Sequence, residues 1–193
     1  MTQAKTDFDG EEFLRTRRLR LRGLRLADIS ALTALNLDED VRRWSLDPCP
    51  TDYFGLAGMV FRANECYLLH PGLGAWHASD CEGNFVGIFT LAPSTETGEI
   101  EIGTRLLPST WGRLYPIEGG RALCAHAFAT LGLERILGMC HPRNVAVPAI
   151  LRRLGFRAEG EGSYFGGTAL RFVLEREMWE SAGKRVVAHA VTS

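Results

Sequence analysis

The sequence predicts an α+β protein, a mixed and mainly antiparallel sheet with helices on both faces. Three observations predict it. Several short segments alternate apolar and polar residues with period two, as where Leu19 and Leu21 alternate with Arg18, Arg20 and Arg22. Longer segments repeat apolar residues at helical spacing, as in Leu26, Ile29, Leu32 and Leu35, and again in Ile117, Gly120, Cys124, Ala127, Phe128 and Leu131. Read along the chain, these segments follow the order β, α, α, β, β, β, α, β, α, β, β.

Each element has a local reason. Residues 1–12 are polar and acidic, and segment 1–14 is expected to be mobile. Thr16–Leu24 is a half-buried strand. The helix that follows has Asp28 in its first turn, where the dipole favours a carboxylate. Asp38 to Trp44 forms a short helical turn. Asp47-Pro48-Cys49-Pro50 breaks the chain, and Thr51 or Asp52 caps a helix to about Asn64. After the His70-Pro71-Gly72 loop, Gly74–Ser79 and Phe85–Ala92 are strands joined through Glu82-Gly83-Asn84. Pro93–Gly98 turns into the strand Glu99–Leu107. A Pro/Ser/Thr/Trp/Gly turn (Pro108 to Gly112) leads to a helix over Ile117–Leu131, a short strand over Arg135–Cys140 and a helix over Asn144–Leu154 that stops at Gly155. Phe156–Tyr164 and Leu170–Leu174 are the last strands, Glu175–Glu180 a short helix, and 182–193 a loose tail.

Bulk properties bound the function. At 193 residues, with 46% hydrophobic and 23% charged content, a single domain over 15–181 is expected. A net charge of -1 gives no basis for general binding to nucleic acid or anionic membranes. The five cysteines are odd in number and have neither close pairing nor metal-ligand spacing, so they read as reduced thiols with no metal site. The chain carries no apolar run of signal-peptide or membrane-span length, so it is expected to stay in the cytoplasm.

The chemistry concentrates in Glu99–Phe156. A strand end beside a helix N-terminus offers free backbone N–H groups to an anion. Here those groups run from about Gly112 to Tyr115, through Leu114, with Arg113 among them, and a pyrophosphate is the group they suit. A plain connection with nothing bound fits the same composition. Glu101 and Glu99 lie two residues apart on one strand face. Either they are solvated strand residues, or their closeness raises one pKa and makes a base.

Thr16–Leu26, Glu101-Ile102-Gly103, Pro108-x-x-Trp111-Gly112, Glu118, His126-Ala127-Phe128, Glu134-Arg135-Ile136, Arg143-Asn144 and Leu154-Gly155-Phe156 together resemble the GNAT acetyltransferase superfamily. The most similar branch is that of the ribosomal-protein N-terminal (alanine) acetyltransferases. The resemblance covers roughly Arg15 to Trp179. It implies a GNAT-like sheet with splayed central strands, Glu99–Leu107 and Arg135–Cys140. It implies acetyl-CoA as the acyl donor, with the pyrophosphate on Trp111, Gly112, Arg113, Leu114 and Tyr115 and the pantetheine arm beside Leu106 and Leu107. It also implies that Asn144 fixes the cofactor arm or a water, that Glu101 serves as base through water, and that the N–H of Leu106 or Leu107 receives the oxyanion.

The chain departs from that pattern. Leu114 stands where the family's pyrophosphate loop has its first Gly, and Pro116 where it has Gly or Ala. A Leu restricts positive φ and a Pro removes a donor, so the loop is expected to differ in shape or grip. Val147 replaces a Ser that could protonate the leaving thiolate, and Leu151 stands where many members carry an acidic Tyr. Tyr164 and Cys140 are the replacement candidates. A thiolate of pKa near 8.5 can also leave without acid help.

An α-amino group with a pKa near 8 costs about 1.4 kcal/mol to deprotonate at pH 7, a Lys side chain about 4.6. A weak or water-relayed base suits the first. The expected reaction is therefore acetyl transfer to a primary amine, a protein N-terminus or a small molecule, by direct attack in a ternary complex. The alternatives are an acyltransferase using a longer acyl-CoA or a secondary-metabolism acceptor, and a non-catalytic CoA-binding regulator. Trp44 and Trp76 are candidates to line an acceptor pocket, with core packing the rival role for Trp76. His77 reads as a core or rim residue. The chain is expected to be a monomer or homodimer.

Overall fold

The computed structural model describes residues 10–182. Eight strands form one sheet: β1 (Glu12–Arg15), β2 (Leu19–Gly23), β3 (Gly74–Asp80), β4 (Phe85–Pro93), β5 (Ile100–Leu106), β6 (Arg135–Cys140), β7 (Arg157–Tyr164) and β8 (Gly167–Glu175). They lie in the order β1-β2-β3-β4-β5-β6-β8-β7. Every neighbouring pair is antiparallel except β5 and β6, which are parallel. The α+β class and the mainly antiparallel sheet are as the sequence predicts.

Alternation sorts the strands into two faces. Leu19, Leu21, Trp76, Phe89 and Leu91 are buried on one face, which α4 (Tyr115–Ala125) and α5 (Ala146–Leu154) cover. Helix α4 seats closely because Gly119 has no side chain: a Cβ there would lie 2.3 Å from a ring carbon of Phe89. The opposite face carries His77, Ile88 and Arg105, where Arg105 meets Asn36 of α1 (Ile29–Leu37); α2 (Glu39–Trp44) and α3 (Tyr53–Leu69) follow, and Tyr67 of α3 stacks on Trp76. Asp38 caps α2 by accepting from the amides of Asp40 and Val41, and Asp52 caps α3 by accepting from Gly55.

The structure corrects several boundaries. Sequence alternation marks one strand from Thr16, whereas the chain forms a hairpin, β1 then β2, closed by Thr16 N–H donating to Leu19 C=O. Glu12–Arg15 enters the sheet because Phe13 stacks on Trp76 at 4.1 Å, a contact no local pattern contains. Helix α3 continues past Asn64 to Leu69, α4 begins at Tyr115 rather than Ile117, and α5 begins at Ala146 rather than Asn144. Strand β8 runs from Gly167 to Glu175, longer at both ends than Leu170–Leu174, because its whole length pairs with β7 or β6. The helix predicted to Leu131 widens into a π turn over His126–Thr130, with Leu131 N–H donating to His126 C=O. Residues 176–182 are helical. Segment 1–9 and most of the expected tail, from residue 183, lie outside the described residues.

Candidate active site

The opening of α4 is built by an unusual backbone. Gly112 has φ 77° and Leu114 has φ 61°, so two residues of this loop adopt left-handed conformations. Leu114, where the resemblance places a glycine, here takes a left-handed conformation that a glycine adopts freely, at a cost of roughly 1–2 kcal/mol. Tyr115 and Pro116 form the first turn of the helix, where a missing donor costs nothing. The amides of Gly112, Arg113, Leu114 and Tyr115 have no hydrogen-bond partner among the described residues. Tyr115 turns its ring into the core beneath the guanidinium of Arg18, and Leu114 turns towards solvent.

Two clamps fix this loop. Glu118, in the first turn of α4, accepts from the Thr16 hydroxyl at 2.6 Å and from the backbone and side chain of Arg18 at 2.7 and 2.6 Å. Arg18 also donates to the Arg113 carbonyl at 2.9 Å. Burial pushes the Glu118 carboxyl up, but those hydrogen bonds outweigh it and hold it below the usual carboxylate value. The Trp111 indole N–H donates to the Leu106 carbonyl at 3.0 Å, tying the loop to the end of β5.

Strands β5 and β6 pair only at Glu101–Leu137 and Ile102–Gly138 and then part, which gives the splayed opening. The direction of each β5 amide decides which can serve a ligand there. Leu107 N–H donates to Val86 C=O at 3.0 Å, on the β4 side, so its N–H points away from the opening. That removes Leu107 from the oxyanion role. By strand alternation the amides of Leu106 and Thr104 point the other way, into the opening. Thr104 is a position that sequence reading missed, because only the register reveals which amides face the gap.

The two titratable candidates meet. Tyr164, at the end of β7, donates its hydroxyl to Glu101 Oε2 at 2.6 Å, and Thr97 donates to Glu101 Oε1 at 3.2 Å. Burial and the neighbouring Glu101 carboxylate push the Tyr164 phenol well above its ordinary pKa, so it stays a neutral donor. Glu99 is not a partner for Glu101. Arg135 and Arg171 each hold it at 3.2 Å, which makes it part of a surface ion network with Glu159. Asn144 caps α5, its Oδ1 accepting from Ala146 and Val147 N–H at 3.1 and 3.2 Å. Cys140 is buried on the α5 side, and burial pushes its thiol up to about 11. Leu151 packs onto Gly138 and Val147 lies against the core. Among the described residues no group of three or more His, Cys, Asp or Glu is arranged to hold a metal, and no helix is long and apolar enough to cross a membrane.

Other residues near the opening lie far apart in sequence. Arg105, on the same face of β5 as Glu101, donates to Asn36 of α1 at 3.1 Å and pairs with Asp47 at 2.8 Å. Trp44 of α2 meets the His141 ring edge-on at 5.8 Å, across the end of β6. Trp76 is 2% exposed and stacked on Phe13, so it is a core residue. His77 is 8% exposed beside Asp28, which Arg22 holds at 2.7 Å.

Comparison with known proteins agrees with this geometry. Residues 18–157 match the family model of the acetyltransferase (GNAT) domain. A 60-residue stretch is 30% identical to an uncharacterized N-acetyltransferase of Bacillus subtilis (strain 168), covering 31% of this chain and 35% of that protein. The chain thus matches about a third of the length of that relative. An acetyltransferase structure from Agrobacterium tumefaciens str. C58 superposes with TM-score 0.73 at 24% identity, over 84% of this chain and 93% of that one. A ribosomal L7/L12 alpha-N-protein acetyltransferase in complex with coenzyme A superposes with TM-score 0.72 at 18% identity, over 87% and 99%. A family model spanning most of the chain, together with the parted β5–β6 pair and the free amides opening α4, establishes that this protein belongs to the GNAT acetyltransferase family.

Proposed function

We propose that this protein moves an acetyl group from acetyl-CoA to a primary amine by direct attack. The observation that carries the reading is the run of free amides from Gly112 to Tyr115, which opens α4 beside the gap between β5 and β6. A pyrophosphate on those amides gains from the helix dipole. The Arg113 side chain adds positive charge, and the pantetheine arm then lies along Leu106 towards the gap. Asn144 acts through the helix it caps, shaping the far wall of the gap.

At the reacting centre the amine nitrogen attacks the thioester carbon, and the oxyanion develops against the amide of Thr104 or Leu106. The amine proton passes, through water, to Glu101. The C–S bond breaks, and the leaving thiolate needs no strong acid because its pKa is near 8.5. Tyr164 holds the Glu101 carboxylate and can deliver its own proton to the thiolate only as Glu101 returns one to it. The acceptor is an amine of low pKa, a protein N-terminus or a small molecule, since a carboxylate acting through water is a weak base.

Calorimetry is expected to show acetyl-CoA binding, and Glu101→Gln is expected to lower transfer at pH 7 at least about tenfold. Absence of any CoA uptake overturns the whole reading. Unchanged rates in Glu101→Gln from pH 6 to 9 remove Glu101 from the role of base. Exclusive turnover of a longer acyl-CoA overturns the choice of acetyl.

A further inference from the structure

The outer face of α3 stands apart from those of the other helices. Its inner side buries Leu56, Ala57, Val60, Ala63 and Tyr67. Its outer side exposes Phe54 (85%), Phe61 (61%), Leu68 (57%) and Leu69 (67%). By contrast α5 shows Arg152 and Arg153 in its last turn, and α2 carries Glu39, Asp40, Arg42 and Arg43. Phe54, Phe61 and Leu68 are spaced seven apart, with Gly58 and Glu65 between them on the same side. A seven-residue repeat keeps one stripe of side chains turned towards a partner helix. With Tyr53 these side chains expose on the order of 500 Å² of mostly apolar surface, taking roughly 150–250 Å² for a whole aromatic side chain. A monomer rarely leaves so much in one patch without a partner.

The charges on the seam say what the partner is. Arg62 and Glu65 are both exposed, and neither forms an ion pair among the described residues. When α3 is laid antiparallel on a copy of itself, with the two-fold axis near residue 64, Arg62 of one protomer faces Glu65 of its partner. In the same register Phe61 faces Leu68. A two-fold arrangement makes every one of these contacts twice.

We infer that α3 is the interface of a homodimer, two copies paired antiparallel through Phe61, Leu68 and the reciprocal Arg62–Glu65 contacts. A standard interface needs about 800 Å² per partner. Where the two helices overlap, Phe61, Leu68 and Leu69 supply about 300 Å² of it, taking the same side-chain areas; the stems of Arg62 and Glu65 add to it, and Tyr53 and Phe54 lie beyond the partner's Leu69.

Sedimentation equilibrium on the full chain, from low to high micromolar concentration, tests this. The expected species is a dimer of the 21.4 kDa chain. Phe61→Glu is expected to raise the dimer dissociation constant at least about 30-fold with an unchanged circular dichroism spectrum. Arg62→Glu and Glu65→Arg are each expected to weaken the dimer, and the double exchange to restore it, a rescue that only reciprocal pairing produces. A wild type that stays monomeric at every concentration overturns the inference, whatever else the patch then binds. A dimer indifferent to Phe61→Glu, or a double exchange no better than the singles, overturns it equally. Neither Phe61, Arg62 nor Glu65 belongs to the proposed acyl-transfer site, so acetyl-CoA binding reads out separately.

Discussion

At the scale of single residues, the Tyr164–Glu101 hydrogen bond is the contact with most consequence. It joins the end of β7 to the start of β5 at 2.6 Å, across 63 positions of sequence. A hydrogen bond to a charged group is worth roughly 1.5–3 kcal/mol. Tyr164→Phe leaves the Glu101 carboxylate without its closest donor, and kcat is expected to fall about tenfold while KM for acetyl-CoA stays within about twofold. Steady-state kinetics check this, and an equal rise in KM would point instead to a structural role in the cofactor site. The candidate identities of both residues were legible in the sequence. Their pairing was not, because it depends on where the hairpin of β7 and β8 lands.

At the scale of elements, the loop from Trp111 to the first turn of α4 is the most informative. A β-branched residue tolerates φ of 61° far worse than Leu does. Leu114→Val is therefore expected to weaken acetyl-CoA binding about tenfold by calorimetry, while Leu114→Gly, which fits that φ freely, keeps it within about threefold. Glu118 gives the second prediction for this loop. Its carboxyl sits below its ordinary value of 4.5, so its contribution to stability is present above that pH and lost as pH falls through the folded value. Glu118→Gln is expected to flatten that acid loss, as read by thermal unfolding between pH 5 and 3. The helix itself was readable from its stripe and from Pro116. The left-handed Leu was not, since propensity argues against it and it is fixed by the clamps from Trp111 and Arg18 and by the Ile117 and Glu118 amides that donate to its carbonyl.

On the whole-molecule scale, the sheet draws its helical layers together through a few buried polar groups. His77 is caught between Asp28, Arg22 and the ring of Phe85. Burial, then the Arg22 charge, lower its pKa from the usual 6.5 against the opposing pull of Asp28. The neutral form is the one the fold accepts. Its contribution is complete above about pH 6.5 and declines as pH drops towards the lowered folded value. His77→Leu is expected to remove that slope from the melting temperature between pH 6.5 and 5, and a slope that persists would assign it to other groups. The aromatic stack gives a larger effect. Trp76→Ala, which leaves Phe13 and Tyr67 without their partner, is expected to cost about 3–5 kcal/mol in denaturant unfolding.

By itself the sequence determined the class of fold, the order of nearly every element, the turn that opens α4, and the family. Those properties are local: period, caps, turn residues and the spacing of motifs. Tertiary structure alone decided that β1 joins the sheet, which β5 amides face the gap, that Leu107 turns away from it, and that Glu101 meets Tyr164 while Glu99 goes to Arg135 and Arg171. Each of these rests on register or on contacts between distant segments. A shift of one residue turns every amide and side chain of a strand to the other side, and no local pattern records which way it went.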